Sequence, residues 1–376
     1  MTAEHALLSA SGAHRWMNCT PSARLEQEFE DSSGEAALEG TAAHALAEHK
    51  LRLALGFNSK KPISKYDSGE MEEHTDGYVG FVLEQIALAK ETCKDPAVLI
   101  EQRLDYSKYV PEGFGTGDCV IVADSLLHII DFKYGRGVLV SAEDNPQMKL
   151  YALGALELFD SIYDISEVSM TVYQPRRENI STFTVSKDAL CQWADEVLKP
   201  IAKLAFNGTG EYCAGDWCRF CRAAVKCRAR AEENLSLARF EFALPPILTD
   251  KDIEEILAKL DDFTSWANDI RAYALSAAIN QGKEWSGFKL VEGRSNRKYV
   301  DEEAAAEAAK AAGYHDIYRQ SLITLTEMER LLGKGKFQEV LGGLVEKPPG
   351  KPTLVPLSDK RPAINISAKN DFKEEN

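Results

Sequence analysis

No run of eighteen apolar residues interrupts this 376-residue chain, and its N-terminus lacks a charged segment leading into an apolar one. The first absence excludes a helical membrane span and the second a secretory leader of ordinary form. A soluble, cytoplasmic protein with no membrane partner is therefore expected. Positive charge is in deficit as well, with 44 Lys and Arg against 59 Asp and Glu and a net charge of −15. That excludes a surface coated for indiscriminate nucleic-acid binding, but not a local basic groove. Internal repeats are absent. Cysteine is sparse, eight in all, and in a large chain without a leader it points to metal or redox chemistry rather than a disulfide framework.

Hydrophobic residues make up 44% of the chain, enough for a sizeable core, and the length implies a main domain with an appendage. Ser9 and Ser11 can cap a short helix that leads into Cys19-Thr20-Pro21. After Gly40-Thr41, a helical run spans 42–55 and sets His44 and Glu48 on one face. A second helix covers 71–92, with Tyr78, Phe81, Val82, Ile86 and Leu88 as its apolar positions. β-rich runs follow at 97–101, 119–123 and 126–130, then a helix over 147–159, strands at 167–173 and 180–185, and a helix over 188–206. This order predicts an α/β sheet flanked by helices. Composition shifts at Leu244-Pro245-Pro246. Residues 1–243 are assigned to the main domain and 244–345 to a mainly helical module, with a long helix over 250–279, a β-like patch at 287–299 and helices near 301–312 and 324–342. Residues 346–376 form an extended tail, with five prolines between 348 and 362.

Asp131-Phe132-Lys133 closes one apolar strand, and Asp118 precedes the strand before it. Asp124-Ser125 reads as a two-residue hairpin turn. If Ala123 faces Leu126, counting back along the ladder brings Asp118 opposite Asp131. Directly opposed residues have Cβ atoms about 5 Å apart, so two carboxylates there repel unless a cation lies between them. A hard divalent ion bound by carboxylate oxygens removes that penalty. Strand alternation puts Lys133 on the same face as Asp131, where its amino group beside the metal could hold or deprotonate the attacking water and stabilise charge on the phosphate. A D-x-K tripeptide also closes strands by chance, so its surroundings decide. Glu101, on the preceding strand, is either a further acid near the metal or a surface ion-pair partner, and Glu48 is either support for the site or structural.

Cys218-x2-Cys221-x5-Cys227 supplies three thiols within ten residues, and a tetrahedral zinc site or a cubane iron–sulfur cluster needs a fourth. Cys213 would complete a compact local knuckle, whereas Cys19 would staple the first helix to the end of the main domain. Spacing leaves zinc and iron both open. Between Trp217 and Ala231 stand Arg219, Arg222, Lys226, Arg228 and Arg230 with no acid among them, which would favour thiolates and a net-negative cluster.

Gly40-x3-His44, Gly117-Asp118, Asp131-Phe132-Lys133, Gln147-x3-Tyr151, and Cys19 followed by Cys218-x2-Cys221-x5-Cys227 occur in that order. Together they resemble the RecB-type branch of the PD-(D/E)xK nuclease superfamily, its iron–sulfur members in particular. The layout of the whole chain is also similar to a phage and prophage family catalogued only as a domain of unknown function. The resemblance implies a restriction-endonuclease-like α/β core, a central mixed sheet flanked by helices, with a mainly helical C-terminal extension. It implies that His44, Asp118 and Asp131 ligate Mg²⁺ or Mn²⁺ with help from the Phe132 carbonyl. It makes Lys133 the catalytic lysine, oriented by Gln147 and Tyr151, which also contact the DNA backbone. Cys19, Cys218, Cys221 and Cys227 match the one-plus-three pattern of a [4Fe–4S] cluster, with Zn²⁺ as the alternative at the same cysteines. The family's proline directly after the first cysteine is displaced here, since Thr20 intervenes before Pro21.

The expected activity is metal-dependent DNA hydrolysis, an exonuclease acting in phage or prophage recombination. Its substrate would be linear duplex or single-stranded DNA without sequence preference, because no base-reading element is present and backbone contacts suffice. Arg176, Arg177, Arg219 and Arg222 are the candidate DNA-binding residues. A recombination partner protein and an oligomer are both compatible with the sequence. Two rivals stand beside it. One is a DNA-binding accessory protein that keeps the fold but hydrolyses little, and the other is a zinc-stapled interaction protein in which D-x-K is incidental.

Overall fold

The computed structural model describes residues 6–29, 34–237, 248–286 and 288, with isolated positions at 330, 333, 335, 336 and 338. The β-like patch at 287–299, the helices near 301–312 and 324–342, and the tail at 346–376 fall outside the described residues, apart from those positions. By spatial proximity the chain forms two units, Met1–Ala274 and Leu275–Asn376; the sheet and the candidate sites belong to the first, and the last helix below runs past its end.

Ser9 accepts a hydrogen bond from the Gly12 amide and starts the first turn, which runs into helix α1 (Ala13–Asn18) and, past Cys19, α2 (Ser22–Leu25). Helix α3 spans Glu35–Ala54. It begins earlier than its apolar pattern suggested, so Gly40-Thr41 lies inside it, and Thr41 satisfies its hydroxyl on the Ala37 carbonyl. Helix α4 (Gly69–Thr92) is capped by Ser68 on the Met71 amide and carries Glu70 and Glu72 in its first turn, where acids complement the helix dipole.

Strands β1 (Ala97–Asp105), β2 (Phe114–Ala123) and β3 (Leu126–Phe132) form an antiparallel meander. Helix α5 (Pro146–Phe159) then crosses over to β4 (Glu167–Gln174), which pairs parallel to β3, and β5 (Asn179–Ser186) pairs antiparallel to β4. The result is a five-stranded mixed sheet in the order β1-β2-β3-β4-β5. Ala123 does pair with Leu126 across Asp124-Ser125, and the ladder continues to Cys119 with Ile130. Asp124 takes a positive φ of 40°, as primed hairpin turns require.

The predicted helix over 188–206 is continuous from Lys187 to Asn207 but irregular: α6 (Lys187–Trp193) and α7 (Lys199–Asn207) are joined by a π-helical turn at Ala194–Leu198. Pro200 explains the π turn, because it has no N–H to donate and its ring crowds the carbonyl four residues back. Helices α8 (Arg228–Leu235) and α9 (Asp250–Gln281) follow. Among the described residues no helix is long and apolar enough to cross a membrane.

Two apolar clusters sandwich the sheet. On one face Val120, Val122, Leu127, Ile129 and Met170 pack against α1, α5, α6 and α7. On the other, Cys119, Ile121, Ala123, Ile130 and Phe132 pack against α3 and α4. Alternating strand residues therefore serve both layers, and β3 is buried along nearly its whole length. Helix α5 approaches the sheet closely because Gly154 lacks a side chain. A Cβ there would lie 2.9 Å from the Leu104 Cβ and 3.1 Å from its carbonyl carbon.

Candidate active site

Three acids line up across the end of the meander. Ile100 pairs with Cys119 and Gln102 with Gly117, so Glu101 is level with Asp118. Extending the β2–β3 register one step beyond Cys119 and Ile130 brings Asp118 level with Asp131. Glu101 holds a φ of 50°, a left-handed conformation that costs a non-glycine residue of order 1–3 kcal/mol. Such strain concentrates at functional sites.

Helices from both layers reach this row. His44, on α3, has its Nδ1 3.2 Å from Asp118 Oδ1. The other Asp118 oxygen accepts a 2.6 Å hydrogen bond from the Phe132 amide. Asp131 is 2% exposed, with Lys133 Nζ 3.0 Å from its Oδ2. Asn145 caps α5 by accepting from the amides of Gln147 and Met148, and Pro146 takes the first helical position. That cap puts Gln147 in the first turn, where its Nε2 donates to Asp131 Oδ1 at 3.2 Å and to the Tyr151 hydroxyl at 3.2 Å.

Among the described residues, His44, Glu101 and Asp118 are the group of three whose ligand atoms all lie within 4.8 Å of one another. Their titration reflects the crowding. Burial works against a charged His44, but the carboxylate of Asp118 outweighs it and raises the imidazole to about 9. Burial and the neighbouring Asp118 push Glu101 up to about 7. Asp131 is raised by burial, against the pull of Lys133. In Asp118 burial is outweighed by His44 and the Phe132 amide, so its carboxyl stays below the ordinary range. Burial opposes charge on Lys133 too, yet Asp131 and Asp118 hold its ammonium above the ordinary value. The site thus keeps two cations, His44 and Lys133, against a cluster of acids.

Among the other acids and bases considered from sequence, Glu48 pairs with Arg52 one helical turn on. Phe132 spends its amide on Asp118, and its ring packs against Tyr78. Arg176 is engaged inside the protein, 3.0 Å from Glu39 and 3.4 Å from Glu70, with its guanidinium stacked on Tyr134. Arg177, Arg219 and Arg222 are exposed. Glu101 joins the site by register, for which the sequence offered one sign, an acid closing an apolar strand. Tyr78 lines the pocket formed with His44, Glu101 and Asp118, although the sequence offered only an apolar helix position there.

The cysteines converge despite their separation in sequence. Cys19, Cys213, Cys218, Cys221 and Cys227 line one small cavity with Arg15 and Trp217, and all are free thiols. Cys19 and Cys218 are buried, whereas Cys213 is exposed. Arg15 bridges the segments, 2.7 Å from buried Glu26 and donating to the Phe220 carbonyl at 3.0 Å, while Glu26 accepts from the Arg222 amide. The intervening Thr20 is used as well, its hydroxyl donating to the Thr209 carbonyl at 2.6 Å. Burial raises the thiols of Cys19 and Cys218 and takes Cys221 to about 12, so a metal would have to displace protons to bind. No three of these sulfurs lie within 4.8 Å of one another.

Comparison with known proteins gives two findings. The family described as "Protein of unknown function (DUF2800)" matches residues 5–362. A solved structure described as "Crystal structure of SSO0001" is similar at 15% identity over 49% of this chain and 95% of that one, with a TM-score of 0.23.

Proposed function

The chain belongs to the DUF2800 family of proteins of unknown function, and we propose that it hydrolyses DNA phosphodiester bonds at a divalent-cation site built by His44, Glu101 and Asp118 beside Asp131. The observation that carries this is the row of three acids on adjacent strands, met by a histidine from one helical layer and by a lysine and a glutamine on the other side. A PD-(D/E)xK core of the RecB type is the fold that this arrangement supports. The two carboxylates are hard oxygen donors suited to Mg²⁺ or Mn²⁺, and the imidazole is a borderline donor that Mn²⁺ also accepts. Burial and the Asp118 carboxylate together lift Glu101, and such an ion would supply the positive charge these acids lack. When bound, the cation supplies a water of lowered pKa and polarisation of the scissile phosphate.

The chain's own groups divide the remaining tasks. Lys133 holds its proton against Asp131, so it acts as a fixed ammonium that attracts the phosphate and stabilises charge building on it. Gln147 locks the Asp131 carboxylate and, through Tyr151, ties its position to α5. Exposed Arg177 and Arg219 are proposed to contact the DNA backbone without base reading, while Arg176 keeps the loop after β4 in place.

At the second centre, Cys19, Cys218, Cys221 and Cys227 would hold an iron–sulfur cluster that staples α1 to the end of the nuclease domain. The resemblance to the one-plus-three cysteine pattern is what favours the cluster, with Zn²⁺ the alternative at the same cysteines. Anaerobic purification followed by iron, sulfide and zinc analysis tests this. Cys19→Ser should lose iron, and retention of full iron there with loss in Cys213→Ser would reassign the fourth ligand.

For the activity itself, purified protein is incubated with end-labelled linear duplex, linear single-stranded and closed circular DNA, with Mn²⁺ or Mg²⁺. Nucleotide release from linear DNA that EDTA abolishes is the expected result. Intact DNA in every arm would sink the proposal and favour a non-hydrolysing accessory role.

A further inference from the structure

Tyr78 lies on α4 and is 2% exposed. Its ring packs between Phe132, with centroids 4.9 Å apart, and Tyr173, at 5.8 Å, so the direction of its hydroxyl is fixed by packing. That hydroxyl is buried and has no hydrogen-bond partner, although a buried phenolic O–H nearly always has one. Tyr78 lines one pocket with His44, Glu48, Glu101 and Asp118. A buried donor without a partner thus lies on the pocket of the acid row.

We propose that Tyr78 is a positioning residue of the cation site, its hydroxyl donating to a carboxylate oxygen of the His44–Glu101–Asp118 group when a divalent cation is bound. The inference rests on the cation site of the preceding section. A carboxylate that turns one oxygen to a metal presents the other to its surroundings, and a donor there fixes the orientation of the ligand. Loss of such a donor typically weakens metal binding 10- to 100-fold. Asp118 is already engaged by His44 and the Phe132 amide, and the tyrosine hydroxyl has no partner.

The test is Tyr78→Phe, which keeps the ring and its packing and removes only the donor. Mn²⁺ alone serves as the probe, its affinity measured by the EPR signal of the free ion, alongside thermal unfolding of the metal-free protein. The expected result has opposite signs in the two measurements. Mn²⁺ binds about 10- to 100-fold more weakly, while the metal-free variant unfolds at a temperature equal to or above that of wild type. Unchanged Mn²⁺ affinity would overturn the role of Tyr78 while leaving the cation site standing. A lower unfolding temperature without metal would show that the hydroxyl already has a partner and would overturn it equally. Glu101→Gln separates failure of the premise. If wild type binds no Mn²⁺ that this variant weakens, the cation site itself fails, and Tyr78 with it.

Discussion

Replacing Glu101 by glutamine should make the metal-free protein more stable and its metal complex weaker. Glu101 has its carboxyl raised from an ordinary 4.5 to about 7 by burial and by Asp118. A carboxyl whose folded pKa is raised binds protons more tightly when folded, so its contribution to stability is present below the unfolded pKa and is lost as pH rises through 7. At 1.36 kcal/mol per unit the full loss by pH 8 is about 3 kcal/mol, and partial exposure of the side chain reduces this to about 1–3 kcal/mol. Glutamine carries no charge and avoids the loss. Thermal unfolding in EDTA should therefore show wild type and Glu101→Gln alike at pH 5 and the variant several degrees higher at pH 8, at about 2–4 °C per kcal/mol. Adding Mn²⁺ at pH 8 reverses the order. An ion present at a hundred times its dissociation constant stabilises the native state by about 2.7 kcal/mol, and the variant, short of one ligand, gains less. If Glu101→Gln were less stable than wild type at pH 8 without metal, or gained as much from Mn²⁺, the repulsive acid row would not be a cation site.

Mn²⁺ binding should tighten as pH rises from 6 to 9 and release protons, because the His44 imidazole, held at about 9, and Glu101, at about 7, must both lose theirs. Isothermal titration calorimetry in buffers of different ionisation heat counts those protons, and pH-independent binding would exclude both groups as ligands. Lys133→Ala should slow DNA hydrolysis by roughly 10²–10³ with little change in Mn²⁺ affinity, and Lys133→Arg should recover part of the rate. Equal rates in the alanine variant would remove the lysine from the chemistry. Gly154→Ala should destabilise the fold by about 1–3 kcal/mol, since the added methyl meets Leu104; chemical denaturation measures this, and an unchanged midpoint would mean that α5 can move away from the sheet.

Much of the site was legible because strands have period two and this hairpin has a two-residue turn. Asp124-Ser125 fixed the register, and the register placed Asp118 against Asp131 and Lys133 beside them. Asn145-Pro146 likewise announced where α5 starts, and with it the position of Gln147. What remained hidden depends on tertiary placement. From sequence Glu101 is open between a metal-side acid and a surface ion pair, and its pairing with β2 and unusual φ, which its own strand does not encode, decide for the site. Tyr78 looks like any other apolar position of α4 until the sheet lies against it. The π turn after Trp193 is not visible in the pattern because apolar periodicity runs through Pro200, whose effect falls on the preceding turn. Arg176 promised a surface cation, yet two acids on α3 and α4 enclose it. The cysteines divide in the same way: the short spacing of Cys218, Cys221 and Cys227 is local, whereas Cys19 and Cys213 both reach the cavity, and only chemistry can rank them.

The central claim is that phosphodiester hydrolysis occurs at the acid row and its lysine. Wild type, Asp118→Asn and Lys133→Ala, each checked for equal folding and equal iron content, are compared in the release of labelled nucleotides from linear DNA with saturating Mn²⁺. Release by wild type, with at least a hundredfold loss in both variants, is the predicted result. Equal release by all three would place the chemistry elsewhere and contradict the account.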